Sequence, residues 1–97
     1  MTPIFDDIEW DEGNRDKCGK HGVPIADTEY ALRATPMIFE DLTHSTQERR
    51  YRAIGRSVSG RPIFVVFTLR RRGDTSYARP ISARYMHSKE VRTYERD

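Results

Sequence analysis

From Arg50 onward, apolar and polar side chains alternate with a period of two, the strongest regularity in the chain. It predicts a strand over Arg50 to Ser57, a turn at Val58-Ser59-Gly60 and a second strand over Arg61 to Arg70, together a hairpin. Within the second strand, Ile63-Phe64-Val65-Val66-Phe67 is apolar at every position, so this strand is expected at the centre of a sheet with both faces covered. Arg71-Arg72-Gly73-Asp74 reads as the next turn and Tyr77 to Arg84 as the next strand. Ser88 is placed to cap a terminal helix that holds Glu90 in its first turn.

The first half is patterned differently. Apolar residues at 4, 8 and 10 give Ile4 to Trp10 the alternation of a short strand, and Asp11 follows where a helix N-cap is expected. A helix is predicted from Glu12 to His21 with Gly22 as its stop. Val23-Pro24 then breaks the chain before a second helix from Ile25 to Arg33, which Thr35-Pro36 ends. Met37-Ile38-Phe39 is a brief apolar run, and Glu40 to Gln47 reads as a polar loop. The expected fold is α+β, one small domain over residues 1–97: an antiparallel sheet of four to five strands, two N-terminal helices packed on it and a C-terminal helix.

Composition removes whole classes of function. A chain of 97 residues, 36% hydrophobic and 33% charged, supports one core and excludes a two-domain enzyme. The longest uncharged apolar run, Pro62 to Leu69, is too short to cross a bilayer, and residues 1–7 lack the basic start of a signal peptide. A cytoplasmic protein without membrane contact is expected. Cys18, the one cysteine, excludes an internal disulfide and suits a reducing compartment. Cys18 and His21 have the spacing of half a zinc site, but no second pair follows, so no metal is expected. No glycine-rich phosphate loop, nucleophile elbow or dinucleotide fingerprint occurs, so no cofactor is expected either.

The net charge of +2 conceals a division. Residues 1–48 hold four basic and eleven acidic side chains, whereas residues 49–97 hold thirteen basic and four acidic ones. Fourteen of the seventeen cations are arginine, whose planar fork grips phosphate at two points and stacks on bases. Strand periodicity puts Arg50, Arg52, Ile54 and Arg56 on one face and Tyr51, Ala53 and Gly55 on the other. In the later strand, Tyr77, Arg79, Ile81 and Ala83 alternate with Pro80, Ser82 and Arg84, so at least one more arginine joins that face if the register allows. The result is a phosphate-binding floor, or equally a solvated sheet face or a surface for docking a partner. Lys20-His21-Gly22 offers an imidazole at a helix C-terminus, where the dipole favours its protonated form; the same three residues also make a good helix stop. His44-Ser45 and His87-Ser88 read as loop and cap elements.

These residues resemble the BrnT-like toxins of bacterial type II toxin-antitoxin systems. The matching pieces are Glu9-Trp10-Asp11-Glu12, Lys20-His21-Gly22-Val23, and His44-Ser45 with Glu48, Arg50 and Tyr51. They continue through Ile54-Gly55, Phe64-Val65-Val66-Phe67-Thr68, Arg79-Pro80-Ile81-Ser82-Ala83-Arg84, and Glu90 with Tyr94-Glu95, spanning almost the whole chain. Where many members read Glu-Arg before the aromatic, this chain reads Arg49-Arg50 with Glu48 one place earlier, which the strand period sets on the side of Arg50. The resemblance implies a RelE-like fold and a ribonuclease that blocks translation and growth. It also implies restraint by a cognate ribbon-helix-helix antitoxin, a toxin dimer within the complex, and operator DNA contacted only through the antitoxin. Metal-free cleavage of RNA uses the 2′-hydroxyl as nucleophile, so the enzyme must deprotonate it, neutralise the phosphorane and protonate the leaving oxygen. The catalytic set expected on this basis is Arg50 and Arg84 as a charge clamp, Lys20 and His21 for proton or charge transfer, and Glu48 or Tyr51 to complete it, with Arg52, Arg56 and Arg79 binding RNA. The alternative functions are a nucleic-acid or partner-binding module that cuts nothing, and a scaffold within a repressor complex.

Overall fold

The structure, a computed structural model, describes residues 5–34, 36–41 and 48–95. Ile4, Thr35, His44, Ser45 and most of the polar loop expected after Phe39 lie outside the described residues. Along the chain the elements are β1 (Asp7–Ile8), α1 (Glu12–Gly19), α2 (Ile25–Arg33), β2 (Met37–Asp41), β3 (Arg50–Arg56), β4 (Pro62–Arg72), β5 (Thr75–Tyr85) and α3 (Ser88–Glu95). The strands form one five-stranded sheet in the order β1-β5-β4-β3-β2. This is the expected α+β class with β4 at the centre, but the sheet is mixed rather than antiparallel, because β1 runs parallel to β5. No helix among the described residues is long and apolar enough to cross a membrane.

Local chemistry explains most boundaries. Asp11 caps α1 in a reciprocal box: its carboxylate accepts from the Asn14 N–H, and the Asn14 side chain accepts from the Asp11 N–H. The helix ends at Gly19, earlier than His21, and Gly22 reverses the chain at φ 81°. Pro24 sets the start of α2, whose Ile25–Arg33 bounds match the expectation. In the Ser57–Arg61 turn the Ser57 hydroxyl accepts from the Arg61 N–H, and Gly60 takes φ 91°.

Other expectations are corrected. The strand foreseen over Ile4 to Trp10 contracts to Asp7–Ile8, pinned by pairing to Tyr77 and Ala78. Met37 to Asp41, read as an apolar run entering a loop, is strand β2, because β3 offers it a pairing edge from Ile54 to Arg50. Arg71 and Arg72 belong to β4 and not to the turn: Arg72 pairs with Thr75, leaving Gly73-Asp74 as a two-residue loop with Gly73 at φ 62°. Ser88 is the first residue of α3 rather than its cap; Glu90 reaches back to accept from the His87 N–H at 3.3 Å.

One face of the sheet is sealed. Ala53, Ile63, Val65, Phe67, Ala78 and Ala83 pack with Ile8, with Cys18 of α1 and with Ala31 and Leu32 of α2. Here Gly55 is required by close approach, since a Cβ at this position would stand 2.3 Å from the Ala31 carbonyl oxygen. Complete coverage of β4 is not found. Among the described residues the opposite face is covered by a helix towards one end, where Val91 and Tyr94 of α3 pack with Met37, Ile54, Phe64 and Met86.

Candidate functional site

Beyond α3 none of the described helices covers that second face, and register decides what stands on it. Across the strands, Ile54 pairs with Phe64 and Phe64 with Arg84; Arg52 pairs with Val66 and Val66 with Ser82; Arg50 pairs with Thr68 and Thr68 with Arg79. Paired residues point to the same side of a sheet, so Arg50, Arg52, Arg79 and Arg84 share one face. Simple alternation puts Arg79 and Arg84 on opposite sides. Both reach the same side because β5 bulges at Ile81: Ser82 pairs with Val66 and Pro80 with Phe67. Pro80 has no N–H to give the ladder, which makes this the natural place for an extra residue. Arg70 and Arg72 extend the same row, opposite Tyr77 and Thr75, and the Arg72 guanidinium lies 5.9 Å from the Tyr77 ring centroid.

Several of these arginines are held by the protein's own carboxylates. Glu90 of α3 receives Arg84 through both terminal nitrogens, at 3.0 and 2.9 Å, and Arg84 also lies 4.8 Å above the Phe64 ring. Asp11 accepts from Arg79 at 2.5 and 3.3 Å, with Glu9 3.6 Å away; Glu9 pairs with Arg72 at 2.5 Å and Glu48 with Arg70 at 3.4 Å. The hydrogen bond from Arg79 holds the Asp11 carboxyl down at about 2, and Glu90 is lowered by its bond from Arg84. The Arg84–Glu90 and Arg70–Glu48 pairs are half-exposed and orient the guanidinium groups without adding much stability, whereas Arg79 and Glu9, at 16% and 15% exposed, are largely enclosed.

Two polar groups at the centre of the face have no partner among the described residues. Thr68 is 3% exposed and its hydroxyl oxygen is buried without a hydrogen bond; Arg52 Nε is likewise buried and unbonded. Leaving such a group unpaired costs about 1–3 kcal/mol.

Asn14 connects this face to the helical layer. Only 2% exposed, its amide donates to the carbonyls of Glu9 and Pro80, both at 2.9 Å, while its remaining bonds hold Asp11. The partners of Arg79 and the bulge that aims it are thus locked together by one side chain.

The structure gathers only part of the expected site. Arg50, Arg52, Arg79 and Arg84 share the open face, with Glu48 beside them at Arg70. Arg56 lies at the end of the same face, where it donates to the Gly60 carbonyl. Lys20 and His21 follow α1, in the layer on the far side of the sheet, and are exposed. Tyr51 also faces that side, its ring stacked on Phe67 at 5.5 Å between centroids. Cys18 is buried in the core, which pushes its thiol up to about 11 and leaves it a packing residue. Among the described residues, no three of His, Cys, Asp and Glu converge as metal ligands would. The sequence reading overlooked Thr68, Asn14, Arg70 and Arg72. Thr68 carried a signal, as the single polar residue between Ile63 and Leu69, and so did Gly73-Asp74, which marks a two-residue hairpin and thereby extends β4 through Arg72.

The face is therefore a sheet floor of positioned arginines, suited to anionic oxygen. Comparison with curated proteins gives no match. A family model described as the ribonuclease toxin BrnT of type II toxin-antitoxin systems matches residues 10–90, from the end of β1 into α3, and so includes Arg50, Thr68, Arg79, Arg84 and Glu90. With most of its length and the entire arginine face inside that match, the chain belongs to the BrnT family of type II ribonuclease toxins.

Proposed function

We propose that this protein, as one RelE-like domain in the cytoplasm, cleaves RNA on its arginine face by metal-independent attack of the 2′-hydroxyl, and that it thereby stops translation and growth. The observation that carries the reading is the assembly of Arg50, Arg52, Arg70, Arg72, Arg79 and Arg84 on one open face. Arg50 and Arg84 clamp the charge that develops on the phosphorane, each supplying fixed positive charge where the transition state needs it. Glu48, the carboxylate beside Arg70, takes the 2′-hydroxyl proton, and water at the open face protonates the leaving 5′-oxygen. Lys20, His21 and Tyr51 lie outside the reacting centre in this scheme. DNA lacks the nucleophile and survives.

Membership of a type II system implies an antitoxin. We propose a ribbon-helix-helix antitoxin that lays acidic side chains over Arg50 and Arg84, with toxin dimers in the complex and operator DNA contacted only through the antitoxin. Carboxylates fill the same forks as phosphate, as Glu90 does on Arg84, so inhibition should weaken as salt screens the pairs.

The test is to incubate purified protein with labelled RNA and a matched DNA in excess chelator. Products ending in cyclic phosphate or 3′-phosphate, with DNA intact, are expected. Cleavage abolished by chelator and restored by magnesium would overturn the mechanism.

A further inference from the structure

We propose that Thr68 and Arg52 form a dedicated binding notch for one backbone phosphate of the RNA, with Thr68 as a positioning residue that the expected catalytic set does not contain. The inference rests on the reading of the arginine face as the RNA site and names the point where the strand is gripped.

Thr68 and Arg52 sit on adjacent strands, on the same face and one pair apart: Arg52 is opposite Val66, and Thr68 is the next residue on that side. Diagonal neighbours of this kind are within reach of a common ligand. Each presents a buried polar atom without a partner among the described residues, and both atoms suit the same ligand, since Nε donates and a hydroxyl donates or accepts. The flanking register partners of Thr68 are Arg50 on β3 and Arg79 on β5, so the notch lies between cations on both sides. Packing alone gives no reason for the hydroxyl. Its strand neighbours are Ile63, Val65 and Phe67 on one side and Phe64 and Val66 on the other, and valine would fill the same volume without an unpaired oxygen.

An anion with several acceptor oxygens close together meets these requirements. A phosphodiester does so on a single narrow edge. The acidic antitoxin side chains proposed above contact Arg50 and Arg84, whereas the notch itself, where Thr68 is 3% exposed, is assigned to the RNA backbone. Entry requires movement of the long side chains beside Thr68, chiefly Arg50, which is exposed, and Arg70, whose pair with Glu48 is partly exposed. The phosphate then replaces Glu48 as the partner of Arg70.

The test pairs Thr68→Val and Thr68→Ser with the wild-type chain. A fluorescent 2′-deoxy oligonucleotide, which is not cleaved, reports binding; labelled RNA reports cleavage. Thr68→Val should weaken binding about tenfold or more, the loss of one hydrogen bond to a charged group, while its melting temperature stays the same or rises. Thr68→Ser should keep most of the affinity. Unchanged binding by Thr68→Val overturns the notch, and so does a loss of binding that comes with a lower melting temperature, which would make the hydroxyl structural. Arg52→Gln supplies the independent check: binding must fall and must not fall further when Thr68→Val is added, whereas fully additive losses overturn a shared ligand. An acidic peptide bound more tightly than the oligonucleotide, and weakened by the same substitutions, overturns the assignment to phosphate. Cleavage separates the two readings. A wild-type chain that binds through Thr68 yet never shortens RNA defeats the proposed ribonuclease and leaves the notch standing.

Discussion

On the helix side of the sheet, Ala53, Val65, Phe67 and Ala83 close against α1 and α2; one residue further along the same strands, Arg52, Val66, Thr68 and Arg84 face outwards. The first group is apolar, with no space to spare at Gly55, and the second sets arginines around Val66 and the buried Thr68, with α3 covering the end at Phe64. A strand that presents alternate residues to opposite sides lets one segment serve stability and recognition at once, because a change on one face need not disturb the other. Substitutions on the closed face should unfold the protein, and those on the open face should spare the fold and remove its activity.

The largest effect should come from Phe67→Ala, which empties the centre of the closed face and should cost about 3–5 kcal/mol in chemical denaturation, much of the stability of a small domain. Gly55→Ala should fail in the same direction by forcing β3 away from Ala31. If either variant keeps its stability but loses cleavage, the division between the faces is wrong.

Arg84→Ala and Arg50→Ala come next. Each should slow RNA cleavage about a hundredfold, about 3 kcal/mol of transition-state stabilisation, with circular dichroism and melting temperature nearly unchanged. Asn14→Ala should cross the division, because it unpairs the Glu9 and Pro80 carbonyls and loosens Asp11. A loss of about 1–3 kcal/mol is expected together with a measurable fall in activity, whereas a purely structural Asn14 would leave the activity of the folded fraction intact.

Acid should sharpen the contrast on a smaller scale. Asp11 has a carboxyl held at about 2 against an ordinary 3.8, so its contribution is present above pH 3.8 and is lost as pH falls from there towards 2. Glu90 is shifted in the same direction by Arg84. Asp11→Asn should therefore lower the melting temperature slightly in the neutral range and flatten the acid limb of the profile, so that variant and wild type converge towards pH 2. The smallest effects are expected from His21→Ala, in the far layer, and Arg72→Ala, at the end of the arginine row. Cleavage by Arg72→Ala as poor as that by Arg84→Ala would mean that the arginines act as a diffuse field rather than from fixed positions.

Local rules made part of this molecule legible. Asp11 before a helix, Pro24 ahead of Ile25–Arg33 and Gly60 in the hairpin each report a backbone geometry that neighbouring residues dictate. The run Ile63 to Phe67 likewise announced a central strand. The candidate site was legible as charge and alternation: Arg50 and Arg52 on one face follow from period alone. What could not be read was anything set by a distant partner. Strand β1 is two residues that count as a strand because Tyr77 and Ala78 lie beside them, and Met37 to Asp41 needs the edge of β3.

By itself, then, the sequence determined the α+β composition, the starts of α1 and α2, the central hairpin and a basic second half, because propensity, capping and periodicity act over a few residues. Tertiary structure decided which arginines meet. The bulge at Ile81 turned Arg79 to the side of Arg84, Asn14 tied that bulge to the cap of α1, and α3 brought Glu90 onto Arg84. Strand register and bulge position minimise free energy over pairings between segments far apart in the chain, and a one-residue shift exchanges the faces of a strand, so the membership of the site exists only once the sheet has closed.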